Sequence, residues 1–205
     1  MQEVYKRLFD IIFSAMAIIF LSPLFISIYV LIKIKSPQTP VIFKHERIGK
    51  YGVPFKVYKF RTMIFNAEKI LEKMLKENPE MEEEYKKDFK LKNDPRIIPV
   101  IGNFLRKYSL DELPQFFNAL FGSMSIVGPR PIVQDELEKY GEYSDVLLTV
   151  KPGITGLWQV SGRNDIDYDE RVAIDIQYIQ NRSFLLDIEI IFKTILVIIF
   201  KKGAY

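Results

Sequence analysis

Ile11-Ile-Phe-Ser-Ala-Met-Ala-Ile-Ile-Phe-Leu-Ser-Pro-Leu-Phe-Ile-Ser-Ile-Tyr-Val-Leu-Ile32 carries no charged side chain. As one continuous helix, its about 22 residues would extend roughly 33 Å, enough for a hydrocarbon core of about 30 Å. An ordinary spanning helix is one reading. A cleaved signal peptide fits less well, because Asp10 stands at the edge, the run is long, and Ser22-Pro23 interrupts the apolar centre. Pro23 removes a backbone donor and crowds the preceding turn, so it kinks or breaks the helix at mid-depth. Ser22 offers a hydroxyl to the backbone groups freed by that break. Lys6 and Arg7 precede the segment and Lys33 and Lys35 follow it, so the positive-inside rule selects no crossing direction. These features favour a re-entrant helix-break-helix that enters and leaves by one face, with the spanning helix as the alternative.

Around this segment, length and composition fit one modest domain plus an anchor. The 205 residues are 48% hydrophobic and 27% charged, which implies apolar and charged residues concentrated in different segments. A net charge of +3 is too small to argue for nucleic acid. The absence of cysteine excludes a disulfide framework, a thiolate nucleophile and Cys-ligated zinc, and the lone His45 makes a His-based metal site a poor fit.

Ser36-Pro-Gln-Thr-Pro40 reads as an exit turn. Val41 to Phe43 and Phe55 to Met63 are β-prone runs separated by a loop with Gly49 and Gly52. Asn66 to Lys92 is dense in Glu and Lys, with Ile70, Leu71, Met74 and Leu75 at helical spacing, and Pro79 divides it into two helices. Its many carboxylates read as a solvated face. Phe104 to Arg106 closes another short helix. Phe184 to Phe200 is apolar apart from Asp187, Glu189 and Lys193, which suits a buried core helix or an interfacial one; Lys201 and Lys202 favour the interfacial reading. The expected fold class is α+β, mostly helical with a small β-sheet. Residues 1–35 are expected to form the membrane helix-hairpin, 36–183 the catalytic domain and 184–205 an amphipathic membrane-associated helix.

Arg106-Lys-Tyr-Ser-Leu-Asp-Glu-Leu-Pro-Gln115 places two adjacent carboxylates after a basic pair. Ser109-x-x-Glu112 is formally a capping box, which explains the pattern without chemistry. Pro114 fits better as the third helical residue than the fifth, so Asp111 is expected at a helix mouth, where the dipole attracts phosphate. A carboxylate beside a phosphate needs a cation, and an Asp/Glu pair with phosphate oxygens suits Mg2+. Lys59 reads either as part of a solvated strand face or as a cation aimed at phosphate. Arg130, between Pro129 and Pro131, reads as a rigid turn or as a pre-aimed guanidinium. Lys151-Pro-Gly-Ile-Thr-Gly-Leu-Trp158 and Ser161-Gly-Arg-Asn164 form a glycine-punctuated stretch that permits close backbone approach to a ligand.

Together, Ser22-Pro23, Tyr58-Lys-Phe-Arg-Thr-Met63, Ser109-Leu-Asp-Glu-Leu-Pro-Gln115, Met124-Ser-Ile-Val-Gly-Pro-Arg-Pro131, Lys151-Pro-Gly-Ile-Thr-Gly156 and Gln159-Val-Ser-Gly-Arg-Asn164 make the chain resemble the monotopic polyprenyl-phosphate phosphoglycosyl transferases, the bacterial sugar transferases. The resemblance runs essentially end to end and is closest to their minimal catalytic form. It implies a re-entrant hairpin in the bacterial cytoplasmic membrane, a catalytic domain on the cytoplasmic face and an Asp-Glu dyad with Mg2+. It implies transfer of a sugar 1-phosphate from a UDP-sugar to undecaprenyl phosphate, with UMP released, as the first membrane step of exopolysaccharide, O-antigen or glycoprotein glycan assembly. Membrane lipid and downstream glycosyltransferases are the further partners implied.

Carried over by motif, Asp111 is the nucleophile and a metal ligand, and Glu112 its dyad partner and second ligand. Lys59, Arg130, Arg163 and Asp175 are substrate contacts. The charged insert of 66–92, Gly156-Leu-Trp-Gln159 and Asn164-Asp-Ile-Asp-Tyr-Asp-Glu-Arg171 look closer to the hexose-1-phosphate transferases, which use UDP-galactose or UDP-glucose. N-acetylated or diacetamido sugars are the alternative, and a non-catalytic membrane scaffold is the competing class.

Overall fold

Pro23 has no N–H to give the carbonyl of Ile19, and the hydroxyl of Ser22 donates to that carbonyl at 2.8 Å instead. Around this substitution the computed structural model, which describes residues 2–88, 91, 94–162 and 166–200, breaks the apolar segment into α1 (Gln2–Phe20) and α2 (Ser22–Lys35). The two are bent by 61°. No single described helix is long and apolar enough to cross a membrane; the bent pair meets that test by length and composition.

After the exit turn, β1 (Ile42–Ile48) and β2 (Pro54–Phe60) pair antiparallel, with Ile42 opposite Phe60 and Ile48 opposite Pro54. β1 runs further than its apolar start indicates, because Lys44, His45 and Glu46 lie on an exposed stretch that does not need apolar side chains. Two helices flank Asn78, α3 (Ala67–Glu77) and α4 (Pro79–Asp88). Then follow α5 (Ile101–Lys107), α6 (Gln115–Phe121), β3 (Ser125–Val127), α7 (Gln134–Leu137), α8 (Ser144–Leu147), β4 (Gly153–Thr155), α9 (Leu157–Ser161), α10 (Tyr168–Asn181) and α11 (Phe184–Phe200). β3 and β4 pair parallel, so the β structure is two small two-stranded sheets where one had been expected.

Two apolar clusters hold these elements. One gathers Val127, Ile132, Tyr140, Ile176 and Ile190, with Phe9 and Phe13 of α1 packed against it. The other joins Ile28 and Ile32 of α2 to Val41, Phe60 and Leu105, with Leu110 and Leu113 at its edge. Burying an aliphatic side chain of this kind stabilises by about 1.5–3 kcal/mol, so α2 is firmly joined to the strand pair and to the turn around Asp111.

The charges at the start of α1, which as sequence serve as topological flanks, are turned inward. Lys6 pairs with Asp187 of α11 at 2.6 Å, and Asp187 also accepts from Tyr178 at 2.7 Å. Arg7 donates to the carbonyls of Ala119 and Leu120 at 2.6 and 2.7 Å, closing the C-terminal end of α6. Asp10 accepts from the Ser125 hydroxyl and the Ile126 N–H. α1 is thereby stitched to α6, β3 and α11. Large apolar side chains stay exposed on Ile19, Phe20, Ile26, Ile34, Phe104 and Leu196.

Candidate active site

Asp111 and Glu112 lie on a tight 3-10 turn, Leu110–Glu112, entered through Ser109 at φ +55°. The expected position at a helix mouth is not what the structure shows. α6 begins only at Gln115, with Pro114 as its entering residue, so the carboxylates precede it on the separate turn. Ser109 enters the left-handed region, its side chain makes no cap bond, and Pro114 has no N–H to extend a continuous ladder. Position comes instead from Leu110 and Leu113, whose packing against the α2 cluster anchors both ends of the dyad.

Lys59 of β2 reaches the same place and donates to Glu112 Oε1 at 2.6 Å. Its strand is fixed by Asn118 of α6, a buried amide that takes the place of a neighbouring strand. Asn118 Oδ1 accepts from the Tyr58 N–H at 2.9 Å and Nδ2 donates to the Lys56 carbonyl at 2.8 Å. These groups lie on one edge of β2, so a single side chain sets where Lys59 stands relative to the turn just before α6. Asn118→Leu leaves that donor and acceptor unpaired at a cost of about 1–3 kcal/mol each. Its unfolding midpoint in urea is expected to fall clearly, and an unchanged midpoint would show that the amide does not hold β2.

Burial, and next the adjacent charge of Glu112, push the Asp111 carboxyl up to about 6, with Lys59 and Arg106 drawing it back. Arg106 itself is tied by Nε to the Thr62 hydroxyl at 2.9 Å. Among the described residues no three His, Cys, Asp or Glu side chains gather into a metal cage. Two adjacent carboxylates whose repulsion raises the proton affinity of one do fit a hard dication that also takes phosphate oxygens and water.

Arg130 is half-buried and makes no ion pair among the described residues. Its loop is set by backbone, with Gly128 donating to Thr155 O at 2.9 Å and Gly153 to Pro129 O at 2.7 Å. The glycines of 151–156 therefore admit the chain's own backbone, since a Cβ on Gly153 would stand 2.1 Å from Gly128 N. Asp175 lies in the core, fully buried, with Oδ2 accepting from Tyr140 at 2.9 Å, and burial pushes it up to about 7. Arg163, Lys201 and Lys202 fall outside the described residues. Lys59, Asp111 and Glu112 are thus brought together, while Arg130 faces Trp158 with its Cζ 6.0 Å from the ring centre. Sequence reasoning passed over Asn118 and Arg47, which carry no local pattern, and gave no role to Arg171 within the 164–171 stretch; all three acquire meaning from what the fold places beside them.

Residues 1–201 match the sequence model of a family described as bacterial sugar transferase. The chain is 53% identical over 200 residues to the undecaprenyl-phosphate galactose phosphotransferase of Salmonella typhimurium, covering 98% of this chain and 41% of that protein. It is 48% identical to the exopolysaccharide production protein ExoY of Rhizobium meliloti, covering 98% and 88%. It is 42% identical to the UDP-glucose:undecaprenyl-phosphate glucose-1-phosphate transferase of Klebsiella pneumoniae, covering 98% and 42%. The chain therefore spans about two fifths of the length of the Salmonella and Klebsiella relatives.

Proposed function

The chain belongs to the bacterial sugar transferase family, and from that premise we propose that it transfers a hexose 1-phosphate from a UDP-sugar to undecaprenyl phosphate. The observation that carries this reading is the dyad turn. Two carboxylates share it, Lys59 engages Glu112, and Asp111 is left without an ion-pair partner among the described residues. A non-catalytic scaffold has no use for a half-buried carboxylate held at raised proton affinity.

In the first step an Asp111 carboxylate oxygen attacks the sugar-bearing phosphorus. An oxygen–phosphorus bond forms, the bond to the bridging oxygen breaks, and UMP leaves with the electron pair. In the second step a phosphate oxygen of undecaprenyl phosphate attacks the same phosphorus, and the aspartyl bond breaks to regenerate Asp111. Lys59 holds Glu112 oriented beside it. Arg130 takes up charge on the phosphates. Asp111 and Glu112 would hold Mg2+, which supplies Lewis-acid stabilisation of phosphoryl charge when bound.

The bent α1–α2 pair and the exposed apolar side chains of α2, α5 and α11 support a hairpin re-entering the bacterial cytoplasmic membrane from its cytoplasmic face. Contact of α2 with the dyad turn then sets the active site at the depth of a lipid-borne phosphate. The lipid-linked sugar would pass to downstream glycosyltransferases.

The higher identity to a galactose than to a glucose transferase supports UDP-galactose ahead of UDP-glucose. UMP release by detergent-solubilised protein with undecaprenyl phosphate is expected to be fastest with UDP-galactose, slower with UDP-glucose and slowest with N-acetylated or diacetamido donors. Release from none of them would end the transferase reading.

A further inference from the structure

Beside the dyad turn, three arginines gather near the carboxylates of Glu136 and Asp175. Arg47 of β1 donates to Glu136 Oε2 at 3.3 Å, and its guanidinium is pushed down to about 10, chiefly by burial and then by the charge of Arg130. Arg171 acts on it in the same sense, while Glu112 acts in the opposite one, which sets the cluster beside the dyad. Arg171 stands over two aromatic rings, its Cζ 4.3 Å from the centre of Trp158 and 5.2 Å from that of Tyr168. Neither Arg130 nor Arg171 has an ion pair among the described residues. The Nε and Nη2 of Arg171 and the Nε1 of Trp158 are buried without a hydrogen-bond partner among the described residues. Buried donors in folded proteins are nearly always paired. Asp175, whose carboxyl burial pushes up to about 7, also faces Arg130 and Arg171. It forms no ion pair with either among the described residues, so three guanidiniums with donors unused are an arrangement that an oxyanion completes.

We propose that Arg47, Arg130 and Arg171, the last backed by Trp158, form the receiving site for the phosphates of a nucleoside diphosphate. This rests on the transferase reading and extends it to Arg47, which no motif marks, and to Arg171, to which no motif assigns a role of its own. Two linked phosphates present several oxyanions, and three planar guanidinium forks match them better than point charges do. Because Nε and Nη2 of Arg171 are covered, an anion engages them as the guanidinium slides across the indole, and that displacement alters the surroundings of Trp158. Trp158 is the only tryptophan in the chain, so its emission reports the event without interference from a second indole.

The test uses the whole detergent-solubilised chain titrated with inorganic pyrophosphate, UMP, uridine and geranyl phosphate. Trp158 emission and calorimetric heat are followed in parallel. Pyrophosphate and UMP are expected to give a saturable emission change and uridine none. Arg47→Ala is expected to weaken both anions by about tenfold or more while its circular-dichroism melt stays cooperative, and Arg47→Lys to recover only part of the loss. A folded Arg47→Ala that binds like the wild type overturns the site. So does heat of binding with silent Trp158, or no response to either anion. Geranyl phosphate binding as tightly as UMP, with the same loss in Arg47→Ala, would transfer the arginines to the lipid acceptor and overturn the donor assignment. UMP release from UDP-sugars without any anion response at Trp158 removes this site and leaves the transferase reading standing. Pyrophosphate bound through Arg47 by a chain that turns over no UDP-sugar does the reverse.

Discussion

Asp111→Asn is expected to lower sugar-phosphate transfer by on the order of 10³-fold or more, the usual scale for loss of a group that bonds to the reacting atom. Asparagine keeps the shape and the 3-10 turn between Leu110 and Leu113 but cannot attack phosphorus. Intact-mass measurement with UDP-galactose and no lipid acceptor is expected to show a sugar-phosphate adduct on the wild type and none on the variant. The same substitution tests what the dyad costs the fold. Burial and Glu112 raise Asp111 above its ordinary value of 3.8 to about 6, so folding favours the protonated carboxyl. The penalty of ionising it is absent below about pH 4, develops between about 4 and 6, and is complete above. With chelator present, Asp111→Asn is therefore expected to melt no lower than the wild type at pH 7.5, with any gain vanishing as the pH falls toward 4. Near-wild-type transfer by the variant would remove Asp111 from the nucleophile role, and a lower melting point at pH 7.5 would show that the dyad stabilises the turn it occupies.

How much of this was legible in the sequence depended on whether the physics was local. Pro23 and Ser22 are chemically sufficient to write the break in the apolar segment, because the lost N–H and its replacement hydroxyl lie within one turn. Pro79 likewise marks the start of α4 without outside help. The position of Asp111 was misjudged because the choice between two helix starts turned on Ser109, whose positive φ is imposed by the packing of Leu110 and Leu113 into a cluster assembled with α2. Lys6, Arg7 and Asp10 look like the charged border of an anchor, yet their partners lie more than a hundred residues away. Separation in the chain likewise hides the Asn118 contact with β2, 60 and 62 residues away, and the influence of Arg171 on Arg47. The three-residue strands β3 and β4 are too short to leave a periodicity, and their pairing exists because two glycine-bearing loops pass close together.

That passage carries the second large effect, an expected loss of stability on the order of 3 kcal/mol or more in Gly153→Ala. A methyl group there would stand 2.1 Å from Gly128 N, 2.4 Å from Thr155 O and 2.7 Å from Gly128 Cα. All three are backbone atoms already held in place, since Gly128 donates to Thr155 O and Gly153 donates to Pro129 O. No rotamer change relieves such a contact, so β3 and β4 must separate, and the Pro129-Arg130-Pro131 turn moves with them. Gly52→Ala provides the comparison. Its φ of +74° strains any side chain, but the nearest atom to a new Cβ is Leu148 Cδ1 at 4.0 Å, so the cost there is confined to about 1–2 kcal/mol of backbone strain. For a domain of this size each kcal/mol moves the melting temperature by about 2–4 °C, so Gly153→Ala is expected to melt roughly 6–12 °C below the wild type, with Gly52→Ala well above it. Because Arg130 is displaced, Gly153→Ala is also expected to lose transfer activity at temperatures where it remains folded, which Gly52→Ala does not. Equal melting of the two variants would mean that the loops carrying Gly128 and Gly153 can part freely, and that Arg130 owes its position to something other than their contact.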